Sequence, residues 1–235
     1  MMTLIAGQDQ QVVVVLLADI AQEFRLWGWS LIAKGSKPFQ AIRGLRFLKV
    51  LGSGHEGGFS LRPSGSRQGL FAVFDNAHHA DDFLAHAEIM KSYFARANEI
   101  CLVKMQTWSC KGAWDGTSLL ITSPTPSTGP VAALTRGSIR INKAAAFWRH
   151  APATQTALEN ADGCQLAVGL GEAPFLRQAT FTLWDSVAAM DAYARTGAHL
   201  KAIGAATQHG YFSESMFARF TPQVIKGRWK DRLYG

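Results

Sequence analysis

His199 lies in the run GAHLKAIGAA, among Gly197, Ala198, Ala202 and Ala205, whose small side chains would let a large flat group lie against a helix. A haem asks for that combination: an imidazole nitrogen for the iron, an acceptor to hold the other ring nitrogen, and a helix face without bulk. A lone histidine on such a face is more often simply packed, so spacing alone leaves both readings open. Arg136, Arg140 and Arg177 fall on segments of strand character in the same half of the chain. A guanidinium fork there can pair with haem propionates, or with a carboxylate at a strand edge. Trp148, Phe181 and Trp184 are candidates for a pocket lining, although aromatic residues at strand and helix spacing are most often core.

Other chemistry-bearing patterns are weaker. The loop GSGHEGG, Gly52 to Gly58, lacks the Lys-Ser/Thr ending of a P-loop and leads towards another strand, so it reads as a flexible hairpin folding over a pocket. His78, Asp82 and His86 recur every four residues and would share a helix face, but an exposed His/Asp face needs no metal. The three cysteines, Cys101, Cys110 and Cys164, show neither zinc spacing nor the even number of a disulfide framework, and read as reduced thiols.

The elements that must position these residues come in two related sets. RQGLFAVFD, Arg67 to Asp75, matches RQATFTLWD, Arg177 to Asp185, at an offset of 110 residues. Each alternates apolar residues as a half-buried strand does, and each ends in an Asp suited to a turn or helix cap. KGAW at Lys111 to Trp114 and KGRW at Lys226 to Trp229 close the two sets. In order, each half reads strand, helix, strand, strand, helix, strand: Gln11–Asp19, Trp27–Ala33, Leu45–Leu51, Gly69–Phe74, Ala80–Ala97 and Ile100–Trp108, then Val131–Ile141, Ala144–Asn160, Gln165–Gly169, Ala179–Trp184, Val187–Ala206 and Met216–Ile225. The expected fold is α+β, with tandem duplicated ferredoxin-like (βαββαβ) units packed sheet to sheet in the manner of a dimeric α/β barrel. Its units are residues 1–116 and 131–235, and the proline-rich stretch in 117–130 is the linker. At the 110-residue offset the counterpart of His199 is Ile89, so the second unit alone offers the ligand.

Hydrophobic residues make up 48% of the chain, enough for a packed core, and the longest aliphatic run, Val12 to Ala18, is too short to span a bilayer. With no recognisable signal peptide the expected location is cytoplasmic. The net charge of +7 is spread singly rather than in an arm or stripe, which argues against nucleic acid and reads first as a solvated basic surface; charge alone does not choose between an acidic ligand and an anionic membrane surface.

Several segments carry a family resemblance: LGSGHEGGFSLRP (51–63), VAALTRGSIRINKAAAFW (131–148), VGLGEAPFLRQATFTLWDS (168–186), AHLKAIGAA (198–206) and YFSESMFARFTP (211–222). In their order and number they resemble the spheroidene monooxygenase family, the acyclic carotenoid 2-ketolases of purple bacteria. That resemblance implies a haem b enzyme that uses O2 and reduced ferredoxin to oxygenate the end of an acyclic carotenoid, working peripherally at the inner membrane, with homo-oligomerisation a further expectation. It makes His199 the axial-ligand candidate, with Arg136, Arg177 and Trp184 as cofactor contacts. Phe212, Ser213, Glu214 and Ser215 stand where the family pattern leads one to expect an acidic pair. The alternatives carried forward are a cofactor-free or haem-degrading monooxygenase of the same fold, and a non-enzymatic haem or carotenoid carrier.

Overall fold

The run VVVVLLADI, Val12–Ile20 (β1), is apolar on both sides of its pleat and is buried almost throughout. β-Branched residues in such a run favour a central strand covered on both faces. In the computed structural model, which describes residues 10–58, 62–149, 155–158, 160–173, 176–195 and 197–235, β1 pairs antiparallel with both β3 (Pro63–Phe74) and β4 (Ala97–Gly112). The remaining strand of this set is β2 (Leu45–Gly54), giving the order β4-β1-β3-β2. Helix α1 (Arg25–Lys34) joins β1 to β2, while α2 (Ala77–His86) and α3 (Glu88–Arg96) join β3 to β4.

The same order recurs downstream. It comprises β5 (Val131–Ile139), α4 (Ala144–Trp148), β6 (Cys164–Ala173), β7 (Arg177–Trp184), α5 (Val187–Ala194), α6 (Gly197–Gln208) and β8 (Phe212–Trp229), with the short β9 (Arg232–Tyr234) folded back on β8. Its strands run β6-β7-β5-β8. The protein is thus a mixed α/β fold on antiparallel strands. Among the described residues no helix is long and apolar enough to cross a membrane.

Two compact units interleave along the chain. Unit 1 is Met1–Leu51, Ser66–Gln106 and Gln223–Gly235, and unit 2 is Gly52–Gly65 and Thr107–Pro222. The interleaving arises because β2, β3, β4 and β8 are longer than the alternating segments predict, so each contributes residues to both units.

Three local expectations are corrected. The helices expected at 80–97 and 187–206 are each two: the first breaks at Ala87, whose φ of −62° and ψ of 131° are extended, and the second where α5 ends at Ala194 and α6 begins at Gly197. The caps are also one residue later than expected. Asn76 and Ser186, rather than Asp75 and Asp185, accept from the N–H groups of His79 (2.9 Å) and Ala189 (3.2 Å). Finally, the glycine-rich segment continues β2 as far as Gly54 and then makes a tight turn at His55–Gly57, and β3 begins at Pro63.

Register ties the two sets of strands together position by position. Leu16 lies between Leu70 and Leu102, and Thr135 between Thr180 and Phe217; Leu17 lies between Gly69 and Cys101, and Arg136 between Ala179 and Met216. Glu99 accepts from the N–H groups of Lys230 and Asp231, both at 2.9 Å, and Glu214 from those of Asp115 (3.1 Å) and Gly116 (2.9 Å). Gly112 and Gly227 both have positive φ, and a Cβ on either would run into a backbone carbonyl, of Ser215 and of Ile100 respectively. Only glycine satisfies both demands there.

Candidate functional site: an opened layer and a buried arginine

Alternation along antiparallel strands sorts the residues of unit 2 onto two faces. One face carries Val131, Ala133, Thr135 and Gly137 of β5, with Trp184, Thr182, Thr180 and Gln178 opposite them on β7. Helix α5 covers the Trp184 end of this face, where Val131, Leu158, Trp184 and Met190 form a core with Val187 and Tyr193 packed against it. Trp184 donates to Thr182 Oγ1 at 2.9 Å and its ring lies 5.3 Å from that of Tyr193.

Towards the other end β5 and β7 carry smaller side chains on this face. In unit 1 the equivalent positions are Leu16, Leu70 and Leu102, each no more than 2% exposed and sealed into the main core. In unit 2 they are Thr135, Thr180 and Phe217, and the Phe217 ring is 41% exposed. Val14 and Ala18 are likewise matched by Ala133 and Gly137. On the adjoining strand β6, Ala167 and Gly169 continue the small surface, facing Thr182 and Thr180. Ala133, Thr135, Ala167 and Thr180 are all part-exposed. Two leucines give way to threonine while Leu102 gives way to the larger Phe217, so the side chains that seal this face in unit 1 are shortened on β5 and β7 and leave a floor of small residues there. An aromatic group bounds the floor at Gly137: the Phe212 ring occupies the space a Cβ there would need, and Phe147 meets Phe212 edge-on at 5.7 Å and Trp148 at 5.4 Å.

The opposite face holds a different constellation. Arg136 is 1% exposed and ion-paired with Glu214, with its Nη2 3.5 Å from both Asp115 and Glu172. Glu172 is projected from the bulge between Gly171 and Ala173 and also accepts from Trp114 Nε1 at 2.6 Å; the Trp114 ring lies 5.4 Å from the Arg136 guanidinium. Burial by itself raises the Glu214 carboxyl, but the N–H groups of Gly116 and Asp115 and the Arg136 guanidinium outweigh it and hold Glu214 below its ordinary value. A buried cation enclosed by carboxylates is electrically satisfied and anchors the 113–117 segment to β8.

The structure therefore separates residues that spacing groups together. Arg136 and Arg177 share one face, where Arg177 stands 3.8 Å from Glu172, and Trp184 belongs to the other. Phe181 lies on the arginine face, away from Trp184. The two arginines hold carboxylates of the chain itself. His199 falls in the first turn of α6, and its side chain lies outside the described residues. No cluster of three metal-ligating groups occurs among the described residues; His86 Nε2 and Asp82 Oδ1 are 3.9 Å apart on α2. The three cysteines are free thiols.

No family model matches the chain. It is 55% identical over 230 residues to the spheroidene monooxygenase of Rubrivivax gelatinosus, covering 98% of this chain and 88% of that protein. It is also 34% identical to the spheroidene monooxygenase of Rhodobacter capsulatus, over 88% of each chain. Among solved structures, an aldoxime dehydratase in complex with butyraldoxime superposes with a TM-score of 0.59 at 10% identity, covering 92% of this chain and 82% of that one, a likeness of fold. By sequence the chain belongs to the spheroidene monooxygenase family and is an oxidoreductase that incorporates oxygen into its substrate.

Proposed function

We propose that this chain is a haem-dependent monooxygenase that hydroxylates and then ketolates an acyclic carotenoid of the spheroidene type, using O2 and electrons from reduced ferredoxin. One feature of unit 2 supports this reading: a floor of small residues, with Thr135 and Thr180 where the equivalent positions of unit 1 are filled by Leu16 and Leu70. Such a floor suits a planar macrocycle or an extended polyene, because both need width without protruding side chains. We also read the matched strand orders and registers as a tandem duplication of ferredoxin-like units, in which one copy keeps a filled core and the other is opened for ligand.

The residues present fit a haem in one respect. Thr135 and Thr180, with Ala133 and Ala167 beside them, are small and part-exposed, a surface that the leucines of unit 1 would cover, and the Phe212 ring closes it at Gly137. His199 is our axial-ligand candidate, on the helix that leads into β8. Arg136 and Arg177 do not fit the role of propionate partners, since they lie on the opposite face. Arg219, on the floor's own face, is paired with Asp191 at 3.1 Å and lies over Trp108. When bound, haem supplies the activation of O2 and the oxidising equivalents for insertion at a C–H bond.

The chain's own contribution is positional. Phe217, Phe212 and Phe147 offer ring faces and edges to a polyene, and the surrounding small residues let it approach the floor while excluding water. Each oxygenation consumes one O2, two electrons and two protons, gives a hydroxyl and releases water. A second at the same carbon gives a geminal diol, which loses water to become a ketone. The net charge of +7 favours encounter with an acidic electron donor. Incubation of the purified chain with spheroidene, reductant and 18O2, followed by mass spectrometry of the pigment, tests the reading. Product carrying 18O is expected; unchanged carotenoid across a panel of acyclic substrates refutes it.

A further inference from the structure

We infer that the outward face of α1 docks this protein on an anionic lipid bilayer. Gly28 and Leu31 are the buried residues of α1, and Trp27 packs on Tyr93 of α3 with ring centroids 5.1 Å apart. The opposite side of the helix is also apolar. Leu26, Trp29 and Ala33, spaced three and four apart, form one outward stripe in which Leu26 is 87% and Trp29 53% exposed. At 3.6 residues per turn Arg25 and Lys34 fall on the two borders of that stripe, and both are exposed.

A leucine at the centre of an exposed stripe, an indole beside it and cations along both borders make up an interfacial helix. Its apolar residues enter the acyl boundary while the basic side chains reach lipid phosphates. Ten residues are too few to span a membrane. Helix α1 contains no acidic residue, and Lys37 and Arg43 follow it in the exposed turns; Glu23 is the acid that precedes it. This charge pattern selects an anionic surface. A second copy is a poorer occupant, because a two-fold contact through the stripe would set Arg25 and Lys34 of one chain beside the same cations of its partner. The carotenoid reading supplies a purpose for docking, but the surface stands apart from it and is tested without carotenoid.

The test is flotation of the full chain with carotenoid-free vesicles of phosphatidylcholine alone or mixed with phosphatidylglycerol. The expected result is binding to the mixed vesicles that weakens with salt, and a loss of at least about tenfold in Leu26→Ser/Trp29→Ser. Arg25→Glu/Lys34→Glu removes the preference for anionic lipid, and Leu233→Ser, an exposed apolar residue on β9, binds as wild type. Should the double serine variant fail to fold, quenching of wild-type fluorescence by bilayer-brominated lipid, reduced in Trp29→Phe, decides in its place. Failure of the wild type to float with either vesicle overturns the inference, as does undiminished binding of the folded serine variant. A wild-type dimer that the serine variant dissociates assigns the stripe to a second copy and also overturns it.

Discussion

Glu214→Ala and Arg136→Leu remove the two sides of one ion pair, yet the structure predicts unequal costs. Arg136 is 1% exposed, and without Glu214 it keeps only the carboxylates of Asp115 and Glu172, each 3.5 Å from Nη2, while the N–H groups of Asp115 and Gly116 lose their acceptor. Stranding a buried charge in this way costs about 3 kcal/mol or more. Removal of the arginine instead leaves Glu214 with its two N–H donors and Glu172 with Trp114 Nε1, and both carboxylates have some access to water. Unit 1 shows that arrangement standing: Leu17 occupies the equivalent register position, and Glu99 still caps Lys230 and Asp231. The Arg136 Nε, moreover, has no hydrogen-bond partner among the described residues, so little is lost there. We expect Arg136→Leu to cost about 1 kcal/mol, since a buried cation is exchanged for apolar volume. Guanidinium unfolding followed by circular dichroism and tryptophan fluorescence measures both. Equal costs, or a larger cost for Arg136→Leu, would refute the assignment of Glu214 as the organising member of the cluster.

Further outcomes follow from the same geometry. Because Glu214 is held below its ordinary value of 4.5, its contribution to stability is present above that pH and is lost as pH falls through its folded value. Melting temperatures should therefore fall more steeply below about pH 4.5 in wild type than in Glu214→Gln, and parallel profiles would contradict this. Gly112→Ala and Gly227→Ala each combine a positive φ with a collision against a carbonyl, and should each destabilise by about 2 kcal/mol or more in thermal melts. If haem is held as proposed, His199→Ala loses the Soret band of haem-loaded protein while the far-ultraviolet dichroism is kept; a variant that retains the wild-type band excludes His199 as the ligand.

Much of the fold is legible in local pattern. VVVVLLADI announces itself as an unbroken apolar run, and the paired Arg-Gln strands by alternation. The breaks at Ala87 and after Ala194 do not, because neither DDFLAHAEIMKSY nor VAAMDAYARTGAH contains a proline to mark them. The interleaved units were hidden for a different reason: strand length beyond the alternating core depends on pairing with residues far along the chain. Arg136 illustrates the limit for sites. Its fork suits a propionate or a carboxylate equally well, and the choice rests on a bulge that projects Glu172 beneath it. The opened layer was visible in principle, since Thr135 and Thr180 interrupt segments whose counterparts read leucine. Seeing it required the register that aligns β5 with β1, however, and β5 carries no shared motif.

The central claim is that unit 2 works because its layer between sheet and helices is opened, and Thr135→Leu/Thr180→Leu restores the residues found at Leu16 and Leu70. The decisive measurement is the rate at which this folded double variant oxygenates an acyclic carotenoid that the wild type converts. Filling the floor should keep or raise the melting temperature and lower product formation at least about tenfold. A folded variant that forms product at the wild-type rate would contradict the account.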